Sequence, residues 1–404
     1  MDTLTRRPFD IAMPDGVAQH VTLLGLTGSG KTTTAERLAE GAVGAGLAVV
    51  LIDAKGAGLR AAAGRLASAA GVGYQEVVPG ALGTLHYNPC AAGSRSQVAD
   101  KLVSAFSHGP SGQIYRTVSL EAVSILVGVL RGIDEPVTIR RLRQELNRTR
   151  MPGLAHRARD VVPDLAGDLL DLARRGGVAA DALEGMRARL GALLHGEYGA
   201  IFDGGEPQLD LAAALGAPGV TYVSLPALAV SQDTALMARV LIQDLKQAAF
   251  ERLQQAGSAP AMLILDEFAA LGDPEQIEDL LRQAREARVS TVVSTQQLPD
   301  VRTAPALRGA LLGAGLLIVH RIGAGDAAAV ADAIGTERSV RVTRSFEGGE
   351  EVGRRSVQPV DRPVVDANVM KRLRTGEAVV LSAAGSDRRV ATISVLPPAG
   401  GGGK

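Results

Sequence analysis

One stretch near the N-terminus has the residue types and spacing of a phosphate-binding loop. Residues 25–32 read Gly-Leu-Thr-Gly-Ser-Gly-Lys-Thr, which fits the pattern G-x-x-x-x-G-K-[ST]. Glycines let such a loop curl so that successive backbone N–H groups point at phosphate oxygens, while the lysine reaches the β- and γ-phosphates and the last hydroxyl holds Mg²⁺. The residues predicted to bind nucleotide are Gly25, Thr27, Gly28, Ser29, Gly30, Lys31, Thr32 and Thr33, with Lys31 also catalytic and Thr32 also a Mg²⁺ ligand.

Two adjacent acids follow an apolar run much later in the chain. Residues 261–265 read Ala-Met-Leu-Ile-Leu and lead directly into Asp266 and Glu267. Ligands of α/β sheets bind at the carboxyl edge of the strands, where these acids are expected to lie. We predict that Asp266 completes the Mg²⁺ shell and that Glu267 orients and deprotonates the attacking water. An ordinary helix-capping pair is the alternative, and the phosphate loop in the same chain favours the catalytic interpretation over it. The Asp-Glu pair argues against simple kinase chemistry, because a water-activating Glu belongs to hydrolysis.

Further polar residues follow this acidic pair. Gln296 comes directly after the apolar run 289–295 and is a candidate to contact the γ-phosphate or its water, although a strand-end turn residue gives the same pattern. Arg282, Arg285 and Arg288 have the i, i+3 spacing that places them on one helix face. A solvated face paired with neighbouring glutamates is the interpretation that we favour for Arg282.

The elements that must position these residues alternate between strands and helices. A strand, a helix and a second strand between residues 21 and 53 make a βαβ unit, which implies parallel strands. Continuous apolar strands indicate a sheet covered on both faces, so we predict an α/β fold with a mainly parallel sheet. The predicted strands are 21–26, 47–53, 220–225, 261–266, 289–295, 316–321 and 378–381, and the predicted helices among them include 31–42, 232–254 and 276–287.

A long block without strand signals interrupts this alternation. We interpret residues 94–202 as an all-α domain inserted into the nucleotide-binding domain, which then comprises 1–93 and 203–397. Residues 345–358 are predicted to form an exposed loop or hairpin, and 398–404 a flexible Gly-rich tail. The helices predicted within the block are 96–107, 113–130, 138–149, 161–175 and 179–195.

Composition excludes several classes of protein. Of 404 residues, 46% are hydrophobic, which is enough for a large buried core and rules out wholesale disorder. The 43 basic residues balance 43 acidic ones, so any nucleic-acid contact must come from local patches rather than from a uniformly basic surface. The single cysteine, Cys90, and scattered histidines indicate neither a disulfide framework nor a metal cluster. No apolar stretch reaches the roughly 18–20 residues of a membrane span, and no signal-peptide core is apparent, so we expect a cytoplasmic protein.

Together these motifs resemble those of the FtsK–HerA superfamily of DNA-pumping ATPases, and within it most of all the type IV coupling proteins of conjugation and type IV secretion. The most specific piece is Asp-Glu-Phe-Ala-Ala-Leu-Gly at 266–272, supported by Ser-Thr-Gln-Gln at 294–297 and by the segment 364–381. The resemblance covers about residues 20–395. It implies a RecA-like P-loop fold with an inserted all-α domain, which acts as a homo-hexameric ring with ATP and Mg²⁺ at the subunit interfaces.

The resemblance also implies roles and partners. Arg285 stands where the family has an arginine finger that acts on the neighbouring subunit's ATP, and Gln296 stands at the sensor position. Asp53-Ala-Lys55-Gly56 is similar to the family's acidic strand end. The implied partners are single- or double-stranded DNA, a relaxase or secreted protein, and the type IV secretion machinery. Coupling proteins carry N-terminal transmembrane helices that we do not find, so we expect membrane contact only through another chain or a missing segment, with a cytoplasmic or peripheral inner-face location.

Two stretches are candidates for DNA contact. The stretch 137–159 is strongly basic and has one acid, Glu145, and the acidic stretch 160–171 that follows is the alternative partner for its arginines. The second candidate is Arg302 with Arg308, which follow the strand that ends at residue 295. Two other functions stay open: a protein-translocating or pilus-assembly ATPase, and a nucleotide-switched substrate adaptor. The arginines of the basic stretch are Arg140, Arg141, Arg143, Arg148, Arg150, Arg157 and Arg159.

Overall fold

The structure is a computed structural model of the chain. Residues 399–404 of the predicted tail at 398–404 and the part of the acidic motif at 268–272 lie outside the described residues, as do Gly348 and Gly349 of the predicted loop. The structure describes residues 19–398 except 57, 107–111, 197, 204, 226–230, 256, 268–272, 300–301, 348–349 and 384–387.

Strands and helices alternate at both ends of the chain and helices fill its middle. The strands are β1 (Val21–Leu24), β2 (Ala48–Asp53), β3 (Gly73–Val77), β4 (His86–Tyr87), β5 (Gln208–Leu209), β6 (Gly219–Ser224), β7 (Ala261–Asp266), β8 (Val289–Thr295), β9 (Leu316–Val319), β10 (Thr336–Glu347), β11 (Glu350–Pro363), β12 (Glu377–Ser382) and β13 (Arg389–Ser394). The helices are α1 (Lys31–Gly44), α2 (Arg60–Ala70), α3 (Arg95–Ser104), α4 (Gln113–Gly132), α5 (Ile139–Glu145), α6 (Met151–Ala158), α7 (Pro163–Arg174), α8 (Val178–His195), α9 (Leu211–Gly216), α10 (Ser231–Gln254), α11 (Pro274–Glu286), α12 (Pro305–Leu312), α13 (Ala324–Ile334) and α14 (Ala367–Arg372).

The chain forms two compact units. The first contains Gln19–Arg37 and the chain from Val293 onwards. Its sheet strands run in the order β13-β12-β9-β1, with β1 and β9 parallel and with β12 antiparallel to both β9 and β13. The apolar residues of β1 and β9 are buried on both faces of the sheet, as their continuous hydrophobic runs predict.

The second unit contains Leu38–Val292. Its strands run in the order β8-β7-β2-β6-β3, and β2 pairs in parallel with both β6 and β7 while β3 pairs in parallel with β6. Every residue of β2 and β7 is buried, so these strands form the centre of the core. The observed β7 and β8 coincide with the predicted strands 261–266 and 289–295, and the prediction of an α/β fold with a mainly parallel sheet is confirmed.

Helices α3 to α8 of this unit occupy the region where the sequence lacks strand signals. Helix α4 packs against α3, α7 and α8. By length and composition alone this helix is apolar enough to cross a membrane, contrary to the sequence-based expectation. Half of its most apolar window is buried inside the protein. That burial is typical of a core helix. The assignment of residues 94–202 as a separate inserted domain stays a prediction.

The structure also contains elements that the sequence patterns did not predict. Strand β3 lies at one end of the strand order, and most of its residues are exposed or half-buried, so it has no continuous apolar run. Helix α2 buries only alanines, whose small side chains give a weak periodic signal. The hairpin predicted at 345–358 is much longer, because β10 and β11 pair antiparallel from Thr336 to Pro363.

Candidate functional site

The glycines of residues 25–30 are required by the backbone between β1 and α1. Gly28 and Gly30 have φ angles of +73° and +113°, in the region that favours glycine. A Cβ atom on Gly25 would lie 2.6 Å from Ser29 Oγ and 2.7 Å from His320 Cβ, so a side chain does not fit there. The loop therefore has the curled backbone that the phosphate motif predicts.

Lys31 lies inside this loop. Its side chain is buried, with the residue only 4% exposed, and its Nζ donates a hydrogen bond to the carbonyl of Gly25. Among the described residues the buried hydroxyl of Ser29 makes no hydrogen bond, and the backbone amides of Thr27 and Gly28 have no acceptor. A buried ammonium among unused donors fits a polyanionic ligand such as a triphosphate. Thr32 and Thr33 are half-buried in the first turn of α1, where that ligand would bind.

The ends of two strands position the loop from one side. The amide of Gly25 donates to the carbonyl of Thr295 at 3.2 Å, and the amide of Leu26 donates to the carbonyl of Arg321 at 2.8 Å. Gln296, directly after β8, accepts a hydrogen bond through its Oε1 from the Thr27 hydroxyl at 3.0 Å. The structure thus brings Gln296 into contact with the phosphate loop, while its role as a sensor stays a prediction.

Residues 375–377, which we call the strap, hold the loop from another side. The amide of Gly376 donates to the carbonyl of Ser29 at 2.9 Å, and the hydroxyl of Thr375 donates to the carbonyl of Gly28 at 3.1 Å. These bonds use loop carbonyls and leave loop amides available for phosphate. Sequence analysis missed the strap, because its contacts join residues more than 340 positions apart.

His320, at the end of β9, connects α1 to the strap behind the loop. The ring is fully buried, with Nδ1 2.8 Å from the carbonyl of Glu377 and Nε2 2.8 Å from the Thr34 hydroxyl. A carbonyl can only accept, so Nδ1 carries the proton and Nε2 accepts from Thr34. Burial lowers the pKa of His320 to about 4; the hydrogen bond to Glu377 opposes this shift and the nearby charge of Lys31 adds to it. The ring is therefore neutral at physiological pH.

This buried histidine predicts a pH dependence of stability. An unfolded histidine binds its proton near pH 6.5 and the folded one only near pH 4, so the unfolded state binds more protons in that window. Stability is therefore lost as the pH falls through it, by about 3 kcal/mol for this residue. When urea unfolding is measured at a series of pH values, the free energy of unfolding should fall more steeply with decreasing pH for the wild type than for His320→Gln. Equal slopes for the two proteins would contradict the assignment.

The strap predicts a change in nucleotide affinity. Thr375→Val removes the hydroxyl that holds the Gly28 carbonyl, and a hydrogen bond of this kind contributes about 1 kcal/mol, so we expect about fivefold weaker binding of a fluorescent ATP analogue. Thr375→Ser keeps the hydroxyl and should bind like the wild type. Unchanged affinity in a folded Thr375→Val protein would show that the strap does not shape the loop.

The acidic pair lies at the carboxyl end of β7 in the second unit. Asp266 is fully buried and is the register partner of Asp53 on the neighbouring parallel strand. Glu267 has a φ of +56°, a left-handed conformation that costs a non-glycine residue about 1 kcal/mol or more and is common at functional sites. Lys55 Nζ lies 2.9 Å from Glu267 Oε1 and 3.5 Å from Asp266 Oδ2. The two predicted acids thus lie beside a basic residue to which the sequence assigned no role.

The acidic pair offers only two carboxylates, a number that is compatible with Mg²⁺. Among the described residues, no group of three or more His, Cys, Asp or Glu side chains is arranged to hold a metal. Mg²⁺ is commonly bound through one or two carboxylates together with substrate phosphates and water. The buried carboxylate of Asp266 is a ligand of the type that this coordination uses, and the assignment of Asp266 and Thr32 as Mg²⁺ ligands stays a prediction.

The three arginines of α11 and its C-terminal end have different surroundings. Arg282 pairs with Asp279 one turn earlier, and Arg288 donates to the carbonyl of Ser258 at 3.1 Å. Arg285 is exposed, and within the described part of the chain its guanidinium has no hydrogen-bond or ion-pair partner. Arg282 is thus exposed and paired, although its partner is Asp279 rather than one of the neighbouring glutamates. Arg285 is available for a group outside this chain.

The basic stretch at 137–159 is largely paired within its own surroundings. Arg141 and Arg150 contact Glu145 at 3.1 and 3.0 Å, and Arg157 contacts Glu135 at 3.2 Å. In the acidic stretch predicted as its alternative partner, Asp160 lies 3.4 Å from Arg159. The stretch therefore presents less unpaired positive charge than its sequence indicates.

The second candidate surface for DNA is also partly occupied. Arg308 donates to the carbonyl of Pro299 at 2.9 Å and lies 4.0 Å from Asp326, with a side chain only 18% exposed. Its guanidinium is thus directed to its own unit rather than to solvent. Arg302 is exposed, and a role for it in DNA binding stays a prediction.

The α/β fold and the lysine-containing glycine loop define a nucleotide-binding P-loop protein. Residues 5–57 match the family described as "Helicase HerA, central domain", and residues 260–375 match "TraM recognition site of TraD and TraG". No curated protein sequence matches the chain.

Several solved structures, among them conjugative and plasmid coupling proteins, share the fold. The unbound bacterial conjugative coupling protein TrwBdeltaN70 matches with a TM-score of 0.66 and 19% identity, over 93% of this chain and 84% of that one. The plasmid coupling protein TrwB in complex with ADP and Mg²⁺ matches with a TM-score of 0.62 and 19% identity, over 94% of this chain and 86% of that one. VirB4 of Thermoanaerobacter pseudethanolicus matches with a TM-score of 0.57 and 14% identity, over 93% of this chain and 89% of that one. The predicted RecA-like P-loop fold and the resemblance to type IV coupling proteins are both confirmed.

Proposed function

We propose that this protein is an ATP-hydrolysing motor of conjugation or type IV secretion, which works as a hexamer and moves DNA or a DNA–protein substrate. The observation that carries the proposal is the phosphate loop, in which the buried Lys31 ammonium lies among unused donors. The similar solved structures support it, because TrwB is described in complex with ADP and Mg²⁺.

In the proposed mechanism, the loop amides and Lys31 bind the phosphates of ATP, and Thr32 and Asp266 hold Mg²⁺. The metal ion, when bound, neutralises charge that develops on the phosphates. Glu267 orients the attacking water and accepts its proton. Arg285 of the neighbouring subunit stabilises the charge of the transition state, and Gln296 transmits the state of hydrolysis through its contact with the loop.

DNA, delivered as a single or double strand with a relaxase or secreted protein, is the proposed substrate of this motor. Aromatic residues make up only 3% of the chain, so we expect backbone electrostatics rather than base stacking to dominate binding. DNA affinity measured by fluorescence anisotropy should then fall steeply with added salt. An affinity that does not change with salt would contradict this mode of binding. We propose a cytoplasmic location, with membrane contact through another chain or segment.

A protein-translocating ATPase on the same fold is the second candidate. The internal ion pairs of Arg141, Arg150 and Arg157 favour it, because they reduce the positive charge available to DNA. Steady-state ATPase measured with and without DNA distinguishes the two, since only a DNA motor is stimulated by DNA. A nucleotide-switched adaptor would bind ATP without steady turnover in either condition.

A further inference from the structure

The loop that follows β2 is fixed in place by one buried carboxylate. Asp53 Oδ1 accepts hydrogen bonds from the amides of Lys55 and Gly56 at 2.9 and 3.1 Å, and its Oδ2 accepts from the Leu59 amide and the Tyr222 hydroxyl, both at 3.0 Å. All the acceptor capacity of Asp53 is thus directed to this loop and to β6. Asp53 is a structural residue, and its function is to hold the backbone from which Lys55 extends.

Lys55 reaches the acidic pair from this fixed backbone. Its Nζ contacts Glu267 Oε1 at 2.9 Å and Asp266 Oδ2 at 3.5 Å. A lysine side chain is a cation at neutral pH. Lys55 therefore places a positive charge beside two adjacent acids, one of which is fully buried and costly to leave uncompensated.

This arrangement conflicts with the proposed role of Glu267. While the ammonium contacts Glu267 Oε1, one of the two carboxylate oxygens is engaged by a cation instead of being directed to a water. A second cation at Asp266 would also repel the Lys55 ammonium across a few ångströms. The Lys55 side chain is 34% exposed, so it has solvent into which it can move.

We propose that Lys55 is a positioning residue for this pair: in the nucleotide-free protein it supplies the positive charge that Mg²⁺ supplies when ATP is bound, and it leaves Glu267 when the metal arrives. This inference rests on the proposed function. With Lys55 in this position, the acidic pair should respond little to Mg²⁺ until ATP binds together with the metal. Glu267 is then free to act as a base only when ATP and Mg²⁺ are bound.

The test is thermal unfolding of nucleotide-free protein at rising MgCl₂, with NaCl at matched ionic strength as the reference. The unfolding temperature of the wild type should not respond to Mg²⁺, because Lys55 already compensates the acids. Lys55→Met removes the charge at similar length, and we expect Mg²⁺ to raise its unfolding temperature by at least on the order of 2 °C. Lys55→Arg keeps the charge and should respond like the wild type.

Several outcomes would overturn the inference. They are a Mg²⁺-dependent stabilisation of the wild type itself, no extra stabilisation of Lys55→Met, or a Lys55→Arg protein that responds like Lys55→Met. Lys55→Gln, which keeps two N–H donors, replaces Lys55→Met if that variant does not fold, and the wild-type series alone still gives a decisive result. If the wild type hydrolyses no ATP, the proposed function fails whatever the unfolding temperatures show. If it hydrolyses ATP but the unfolding temperatures contradict the expectation, only the role of Lys55 is removed.

Discussion

Replacing Arg285 with alanine is expected to lower ATP turnover of the assembled protein by about 10³–10⁵-fold, the contribution typical of an arginine finger. Arg285 is exposed near the end of α11 and, among the described residues, pairs with no group of its own chain. A cation of this kind is available to a phosphate on a neighbouring subunit. Arg282→Ala is the matched control, because it removes an exposed arginine of the same helix that pairs with Asp279.

A mixing experiment tests whether Arg285 acts on the neighbour. Lys31→Ala and Arg285→Ala proteins should each be inactive alone, but mixed rings contain interfaces at which an intact Lys31 meets an intact Arg285. We therefore expect turnover to reappear on mixing, and not on mixing Arg285→Ala with itself at the same concentration. Equal turnover of Arg285→Ala and Arg282→Ala would remove the finger, and an inactive mixture would show that both residues serve the same subunit's ATP.

Replacing Glu267 with glutamine should preserve ATP binding and lower turnover by about 10²–10⁴-fold, the usual contribution of a general base. Glutamine has nearly the same shape and can still contact Lys55, so the left-handed backbone at this position should be retained. Glu286→Gln is the control, because it makes the same chemical change at an exposed position of α11.

The measurements for this variant separate binding from chemistry. Equilibrium titration with a fluorescent ATP analogue should give affinities within a few-fold of the wild type, and single-turnover hydrolysis should show the loss. Turnover of Glu267→Gln close to that of Glu286→Gln would remove Glu267 from the base role. Loss of binding together with turnover would instead indicate a structural role for the side chain.

The parts of the site that could be predicted are those encoded in short segments. The loop at residues 25–32 and the acids after β7 each occupy a few consecutive residues, and their strand context follows from continuous apolar runs. Gln296 was identified in the same way from its position after a strand. The hydrogen bond between Gln296 and Thr27 joins residues 269 positions apart, and no local pattern indicates it.

The residues that sequence analysis missed act through long-range contacts. His320 appeared only as one of several scattered histidines, although its ring lies between Thr34 and the strap. Thr375 and Gly376 lay in a segment noted for its resemblance, with no role assigned to either residue. Lys55 was noted beside an acidic strand end, but its two partners are more than 200 residues away in sequence. Such contacts depend on strand order, which the sequence pattern did not determine.

The long hairpin shows a different limit. Residues such as Val340 and Val342 alternate with polar neighbours, which is the period-two signal of a strand, but both valines remain exposed. The charged residues and the Gly348-Gly349 pair instead favour a shorter exposed loop or hairpin at 345–358. The signal for β10 was thus present in the sequence, and charged residues at intervening positions masked it.

The central claim is that the protein hydrolyses ATP as an assembled ring and that DNA stimulates it. The most direct test is to separate the protein by size and to measure ATP turnover of each fraction with and without DNA. We expect turnover in the oligomeric fractions, an increase when DNA is added, and near-inactive monomers, because Arg285 must come from a neighbour. Monomers that hydrolyse ATP as fast as the assembled form, or an assembled form that does not respond to DNA, would contradict it.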